Sequence, residues 1–206
     1  MREANFKMKA STSPDFPVAL RAHTTRATHA TGTTIFRTGG PAHSVFYVES
    51  GAVRLVRFGR AGEEVMLHAA TEGEFFAEAS FDSPRYHCHA VTSGPSVLLQ
   101  VPGTVVRNML ESDPEFARQW VALLAGRLRA ARFRVERLSL KSATERVRHL
   151  LVSEGRGPSF ELVLPGTLKD LARNLGLTHE VLYRTLAAME REGAIERGQG
   201  VLRLNE

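Results

Sequence analysis

Thr167 to Leu204 reads TLKDLARNLGLTHEVLYRTLAAMEREGAIERGQGVLRL, and the organisation of the chain follows from this stretch. Thr167 is placed to N-cap a first helix, with Asp170 three residues on as a short-armed capping-box acid. Leu171, Ala172 and Leu175 form the inner face of that helix, and the small Ala172 lets a second helix cross closely. Gly176 supplies a tight turn and Leu177 fills the gap between the helices. Thr178 caps the second helix, which turns Val181, Leu182, Leu186 and Met189 wholly or partly inward. His179, Glu180, Tyr183, Arg184 and Arg191 are left outward. A small hairpin follows, with its turn at Gly198–Gly200. Two short helices around a glycine, then a hairpin, are the parts of a winged helix–turn–helix.

A plain pair of packed helices would have the same apolar pattern. The polar residues favour the winged motif. Glu180 and Arg184 stand four apart in the first turn of the second helix. At that spacing they support the helix as an ion pair. In a major groove, arginine can bind guanine through two bonds and glutamate can accept from a cytosine amino group. Thr167 and Lys169 at the first helix, Thr178 at the second and Arg197 in the hairpin are placed for phosphates.

The charge distribution agrees. The net charge of +5 is uneven: residues 1–117 hold 11 Lys+Arg against 12 Asp+Glu, and residues 118–206 hold 16 against 10. A basic module beside a near-neutral one suits a nucleic-acid partner. A single cysteine excludes an internal disulfide and any metal site built from several cysteines of one chain. No apolar run reaches the roughly 18 residues of a spanning helix, and MREANFKMKASTSPDFPVAL lacks the apolar centre of a secretory signal. The expectation is a cytoplasmic protein with no membrane partner.

Upstream, residues 1–30 show weak periodicity and are expected to be irregular, apart from a short helix near Pro17–Ala22. From Thr33 the texture changes. TIFRTG, SVFYVESG, AVRLVRFG, EVMLHAA, EFFAEASF, HCHAVTSG and SVLLQVP are short β-rich runs punctuated by glycines or turn residues. That is the rhythm of a small sandwich or barrel. After Pro102 the period lengthens. Asp113 and Pro114 look like an N-cap and a first-turn proline. Phe116, Trp120, Leu124, Leu128, Ala131, Val135 and Leu138 then recur every three or four residues to about Leu140. At 1.5 Å per residue such a helix spans about 40 Å, more than a small barrel needs as a lid. Its stripe favours a second copy of itself as partner, with Trp120, Leu124, Leu128, Ala131, Val135 and Leu138 in the seam. A further helix is expected over Ala143–Glu154, and ELVLPG is a short strand.

TLKDLARNLGLTHEVLYRTLAAMEREGAI resembles the helix–turn–helix of the Crp/Fnr regulators. GTTIFRTGGPAHSVFYVESGAVRLVR resembles the opening strands of their cyclic-nucleotide-binding-like jelly roll, and GEFFAEASF resembles its glycine–phenylalanine–glycine–glutamate motif. The resemblance implies an α+β chain. A jelly-roll sensor domain would occupy residues 1–112, a dimerisation helix 113–140 and a winged helix–turn–helix DNA-binding domain 141–206. It implies a homodimeric transcription regulator on a palindromic operator of double-stranded DNA, working with RNA polymerase. Glu180 and Arg184 fall on the family's base-reading positions, and His179 replaces the usual arginine.

The sensor half departs from the family where nucleotide-binding members hold their ligand. The glycine before the ribose-binding glutamate is Ala77, and the glutamate is Glu78. Cys88 stands where the phosphate-binding arginine should be, and His89 stands on the serine or threonine. Arg85 comes three residues early. A buried phosphate without its guanidinium loses a charge-assisted, two-bond contact, so the sequence argues against cyclic AMP. In a strand His87 and His89 would share one face and Cys88 the other. Plain packing, haem ligation and redox sensing at Cys88 are the readings this stretch leaves open, and no cofactor is assigned. The His-x-His pair also begins the metal set of cupin-type jelly-roll enzymes, which is the alternative reading of the chain. Their glutamate four or five residues on is here Ser93 or Gly94, and the next histidine, His149, lies outside the barrel. Two ligands do not close a catalytic metal site, and no Ser–His–Asp set or lysine-bearing phosphate loop is evident, so no enzyme is expected.

Overall fold

The computed structural model describes residues 16–60, 62–164 and 167–205. The chain divides into two compact units, Met1–Trp120 and Val121–Glu206.

The first unit is a sandwich of two antiparallel four-stranded sheets. Its strands are β1 (Thr25–His29), β2 (Thr34–Phe36), β3 (Ser44–Ser50), β4 (Ala52–Phe58), β5 (Glu64–Thr71), β6 (Phe75–Phe76), β7 (His89–Thr92) and β8 (Ser96–Pro102). One sheet runs β1-β8-β3-β6 and the other β2-β7-β4-β5, the arrangement of a jelly roll. Alternation along the strands builds the core. Val53 and Leu55 of β4 face Phe46, Val48, Phe76 and Leu98 across the sandwich, with Cys88 and Ala90 in the same cluster. Gly51 turns the chain from one sheet to the other with φ at 89°. A Cβ there would sit 2.4 Å from Ser96 Oγ and 2.5 Å from the Pro95 carbonyl oxygen.

The structure departs from the sequence reading in two places here, β1 and a helix before the long one. Thr25–His29, expected to be irregular, is a strand, because pairing of all five residues with β8 supplies the order that the local sequence lacks. The short helix expected near Pro17–Ala22 is present, as a 3-10 helix over Val18–His23, and residues 1–15 of the segment expected to be irregular lie outside the described residues. Before the long helix the chain forms another, α1 (Gly103–Ser112), hidden in the sequence by its glycine start and its lack of a capping side chain.

Asp113 then caps the long helix α2 (Pro114–Ser139), its Oδ1 accepting from the amides of Glu115 at 3.0 Å and Phe116 at 3.1 Å. Trp120 leaves the expected seam. Only 5% exposed, it packs its ring against Phe75, Phe81 and Phe116 at 5.5–6.2 Å. The first two turns of α2 therefore close the floor of the sandwich, and the stripe free for a partner starts later.

The second unit holds the rest of α2, then α3 (Ala143–Glu154), β9 (Leu162–Val163), α4 (Leu168–Leu175), α5 (His179–Arg191), β10 (Ile195–Gly198) and β11 (Val201–Leu204). A capping box between Ser142 and Glu145 starts α3. A three-stranded sheet, β10-β11-β9, backs the helices. Leu150 and Leu151 of α3, Leu171 and Leu175 of α4, and Leu182, Leu186 and Met189 of α5 share one core.

Gly51→Ala is expected to lower the stability of the purified protein by about 2 kcal/mol or more, through the positive φ and the clash with Ser96 and Pro95. Urea unfolding followed by circular dichroism measures it.

Candidate nucleic-acid interface and effector region

The helix–turn–helix is assembled from local rules. Thr167 and Asp170 exchange a capping box, the Thr167 amide donating to Asp170 Oδ2 at 3.2 Å and the Asp170 amide to Thr167 Oγ1 at 3.2 Å. Gly176 ends α4 in the left-handed region, φ 63° and ψ 37°, a conformation that glycine adopts without a Cβ penalty. Thr178 Oγ1 accepts from the Val181 amide at 3.2 Å and starts α5.

These turns leave a polar face at the start of α5. Thr167, Lys169, Thr178, His179, Glu180, Tyr183 and Arg184 are all exposed. The expected Glu180–Arg184 ion pair is not formed, and neither side chain bonds another group among the described residues. Both therefore stand available to base edges. His179 lies against Tyr183, with ring centroids 5.6 Å apart. Arg197 is the exception among the expected phosphate contacts. It is half-buried, covers the Tyr183 ring at 5.5 Å and pairs with Glu190 at 3.6 Å. The hairpin is thus tied to α5 by a cation–π contact and a carboxylate.

Two arginines, Arg137 and Arg146, hold this head to the end of α2. Arg146 Nε donates to the Leu140 carbonyl at 3.0 Å and its Nη2 to that of Leu138 at 3.3 Å. Its Nη1 reaches the carbonyls of Leu175 at 3.0 Å and Gly176 at 3.2 Å. Arg137 has a side chain 0% exposed and pairs with Glu154. It also donates to Ser153 Oγ at 3.3 Å and Asn174 Oδ1 at 3.4 Å. An arginine on an apolar-striped helix reads as solvent-facing. Only the positions of α3 and α4 reveal Arg137 as a buried joint and Arg146 as a half-buried one.

The effector region is less like its expectation. β7 begins at His89, so His87 lies in the bend before the strand. Burial still alternates: Tyr86, Cys88 and Ala90 are buried, His87 is exposed and His89 half-buried. The two imidazoles do not converge. His87 Nδ1 is hydrogen-bonded to Ser80 Oγ at 2.8 Å, and His89 Nδ1 to Thr38 Oγ1 at 2.8 Å. Among the described residues no group of three or more His, Cys, Asp and Glu is placed to hold a metal ion. Arg85 is exposed, and its guanidinium donates to the Gly39 carbonyl at 2.7 Å. Ala77 takes φ 69°, a left-handed position where relatives of the motif have glycine, and Glu78 opens a short 3-10 turn. Cys88 is 2% exposed. Burial pushes its thiol up to about 11, with Arg57 lowering it and Glu78 raising it by smaller amounts. Arg57, on β4, is thus a cation near this region that the sequence reading did not single out. Its signal was only an exposed position on an alternating strand.

Residues 27–113 match the cyclic nucleotide-binding domain, and residues 145–206 match the Crp-like helix-turn-helix domain. The cyclic AMP receptor protein of Thermus thermophilus is 31% identical over 185 residues, 88% of this chain and 84% of that one. The chain belongs to the Crp/Fnr family of transcription regulators. The nitrogen fixation regulation protein FixK of Azorhizobium caulinodans is 30% identical, over 83% of this chain and 71% of its own length. Among solved structures, FixK2 from Bradyrhizobium japonicum superposes with a TM-score of 0.74 at 24% identity, covering 89% of this chain and 93% of that one. The Thermus thermophilus catabolite activator protein gives 0.52 at 30% identity, over 95% and 92%. A Crp/Fnr regulator carries its DNA-binding surface on the helix–turn–helix, and nothing in these relatives favours the cupin-like alternative.

With its pKa near 11, Cys88 has on the order of 100-fold less thiolate at neutral pH than a free cysteine. It is expected to react with 5,5′-dithiobis(2-nitrobenzoate) at least that much more slowly in the native protein than in urea. Stopped-flow absorbance at pH 7.5 checks this.

Proposed function

We propose that this DNA-binding transcription regulator acts in the cytoplasm as a homodimer on a palindromic operator, with RNA polymerase as its downstream partner, and is not gated by cyclic AMP. The observation that carries the DNA reading is the polar face of α5, where Glu180 and Arg184 are exposed and, among the described residues, unpaired beside Thr178 and His179. Arg184 takes the guanine and Glu180 the paired cytosine of a G·C pair in each half-site. Thr167, Lys169 and Thr178 hold phosphates, and Arg197 sets the hairpin against Tyr183.

The dimer reading rests on α2 beyond Trp120. Val121, Leu124, Leu128, Val135 and Leu138 are 64%, 40%, 53%, 67% and 40% exposed. With Ala131 they stand at alternating intervals of three and four, the seam of a two-stranded coiled coil. Large apolar groups in that register are costly to leave in water. Two-fold symmetry then places two α5 helices about one DNA turn apart.

The relative from Thermus thermophilus is named a cyclic AMP receptor protein. This chain has a buried, protonated thiol at the phosphate-arginine position, and Arg85 is engaged with Gly39. Haem ligation has less support than packing, since Cys88 belongs to the core cluster and the two histidines bond different hydroxyls.

Fluorescence titration of the full-length protein on its operator tests both claims. Arg184→Ala is expected to lose about 1–3 kcal/mol of discrimination at one base pair per half-site. An equal loss on operator and random DNA would make Arg184 a phosphate contact. Cyclic AMP is expected to leave the operator affinity unchanged. A large increase would assign Arg57 or Arg85 to the cyclic phosphate and overturn the second claim.

A further inference from the structure

A cavity of about 560 Å³ opens where β1, the edge of one sheet, meets β2, the edge of the other. Its volume falls in the range of small-molecule sites. Ala27, Ile35, Phe36, Phe46, Tyr86 and Leu98 supply its apolar surface. Phe36 and Tyr86 stack with centroids 3.8 Å apart and planes within 14°, which makes one wall a rigid aromatic pair. Glu78, Cys88 and His89 contribute nothing to its lining, so it is separate from the region where relatives hold a cyclic phosphate.

The fixed charge in its lining is that of Arg37, and burial lowers the pKa of His29, away from its charged form. Arg37, His29 and His43 line the cavity and no Asp or Glu does. The Arg37 guanidinium has no ion-pair or hydrogen-bond partner among the described residues. Ser44 Oγ accepts from Gln100 Nε2 at 3.0 Å, which leaves the hydroxyl proton to donate. The neighbouring cavity, of about 660 Å³ beside the start of α1, differs. Its arginine, Arg107, is already satisfied by Asp82 at 2.6 Å.

We propose that the β1–β2 cavity binds a small organic anion with a flat apolar body. The body lies along the Phe36–Tyr86 wall, and the carboxylate takes a charge-assisted bond from Arg37 and a hydroxyl bond from Ser44. Such a ligand touches both sheets at once. It presses on Phe36 and Tyr86, which belong to the same core cluster as Cys88 and Ala77. A ligand here therefore reaches the effector region through the packed interior and not through its mouth.

The test uses the full-length protein with 1-naphthoate as probe and 1-naphthamide as its uncharged counterpart. Binding is measured by calorimetry and located by amide shifts in nitrogen-15 NMR. Naphthoate is expected to bind at least about tenfold more tightly than the amide, with the largest shifts in β1, β2 and Ser44. Arg37→Gln is expected to bring naphthoate down to the level of the amide. Ala27→Trp, which fills the cavity, is expected to abolish both, and unchanged circular dichroism would show that it folds. No saturable binding, shifts centred outside β1 and β2, equal affinity for the amide, or an Arg37→Gln protein that binds as the parent does would each overturn the proposal. The wild-type shift map decides even if Ala27→Trp does not fold.

Discussion

One guanidinium, that of Arg146, is shared between the last carbonyls of α2 and those of α4. Helix C-termini carry unsatisfied acceptors and a partial negative charge, and here two of them converge on one fixed cation. Gly176 makes the approach possible, because a Cβ at that position would stand 2.8 Å from Leu138 Cδ2. Arg137, wholly buried one turn from the end of α2, adds bonds to α3 and α4. A buried charge of this kind does not by itself imply stability, but removing its partner is costly. The end of the long helix and the first helix of the reading head therefore behave as one piece. In a dimer paired along α2, whatever fixes the register of the long helix would also fix where α5 points.

In the proposed dimer, that constraint would link a seam along α2 to the operator. If α2 pairs along Val121, Leu124, Leu128, Ala131, Val135 and Leu138, the joint passes the seam's register to α4, and α4 passes it to α5 through the shared leucine core. An effector can alter DNA binding only by favouring one arrangement of this path over another. The sensor region keeps the jelly-roll frame, with Cys88 and His89 at the two positions where the family resemblance implies the phosphate-binding arginine and hydroxyl. Its cysteine is packed and protonated, its two histidines are spent on separate hydroxyls, and its left-handed position carries alanine, at a cost of about 1 kcal/mol relative to glycine.

Much of this was legible in the sequence because the second unit is built from local signals. Caps at Ser142, Thr167 and Thr178, the glycine at 176 and the apolar spacing fix α3, α4 and α5 with no need of distant partners. The strands between Thr34 and Pro102 are legible for the same reason, since glycines and alternation mark them. What escaped depends on tertiary placement. β1 is a strand because β8 is beside it. Trp120 sits in the stripe by spacing, but the aromatic cluster of Phe75, Phe81 and Phe116 claims it. Arg137 and Arg146 carry no sequence signal of their own until α3 and α4 are placed around them. His87 drops out of β7 because the chain bends after Arg85, where it bridges to Pro41. The candidate base-reading residues were named from helix position and from the family resemblance, and the structure adds that Glu180 and Arg184 are free of each other.

The most direct test of the account is the DNA sequence that the unmodified full-length protein selects from a pool of random duplexes. The account predicts a two-fold symmetric site, with a G·C pair in each half-site and half-site centres about 10 base pairs, one helical turn, apart. A single unpaired half-site, a direct repeat, or enrichment without sequence preference would contradict it.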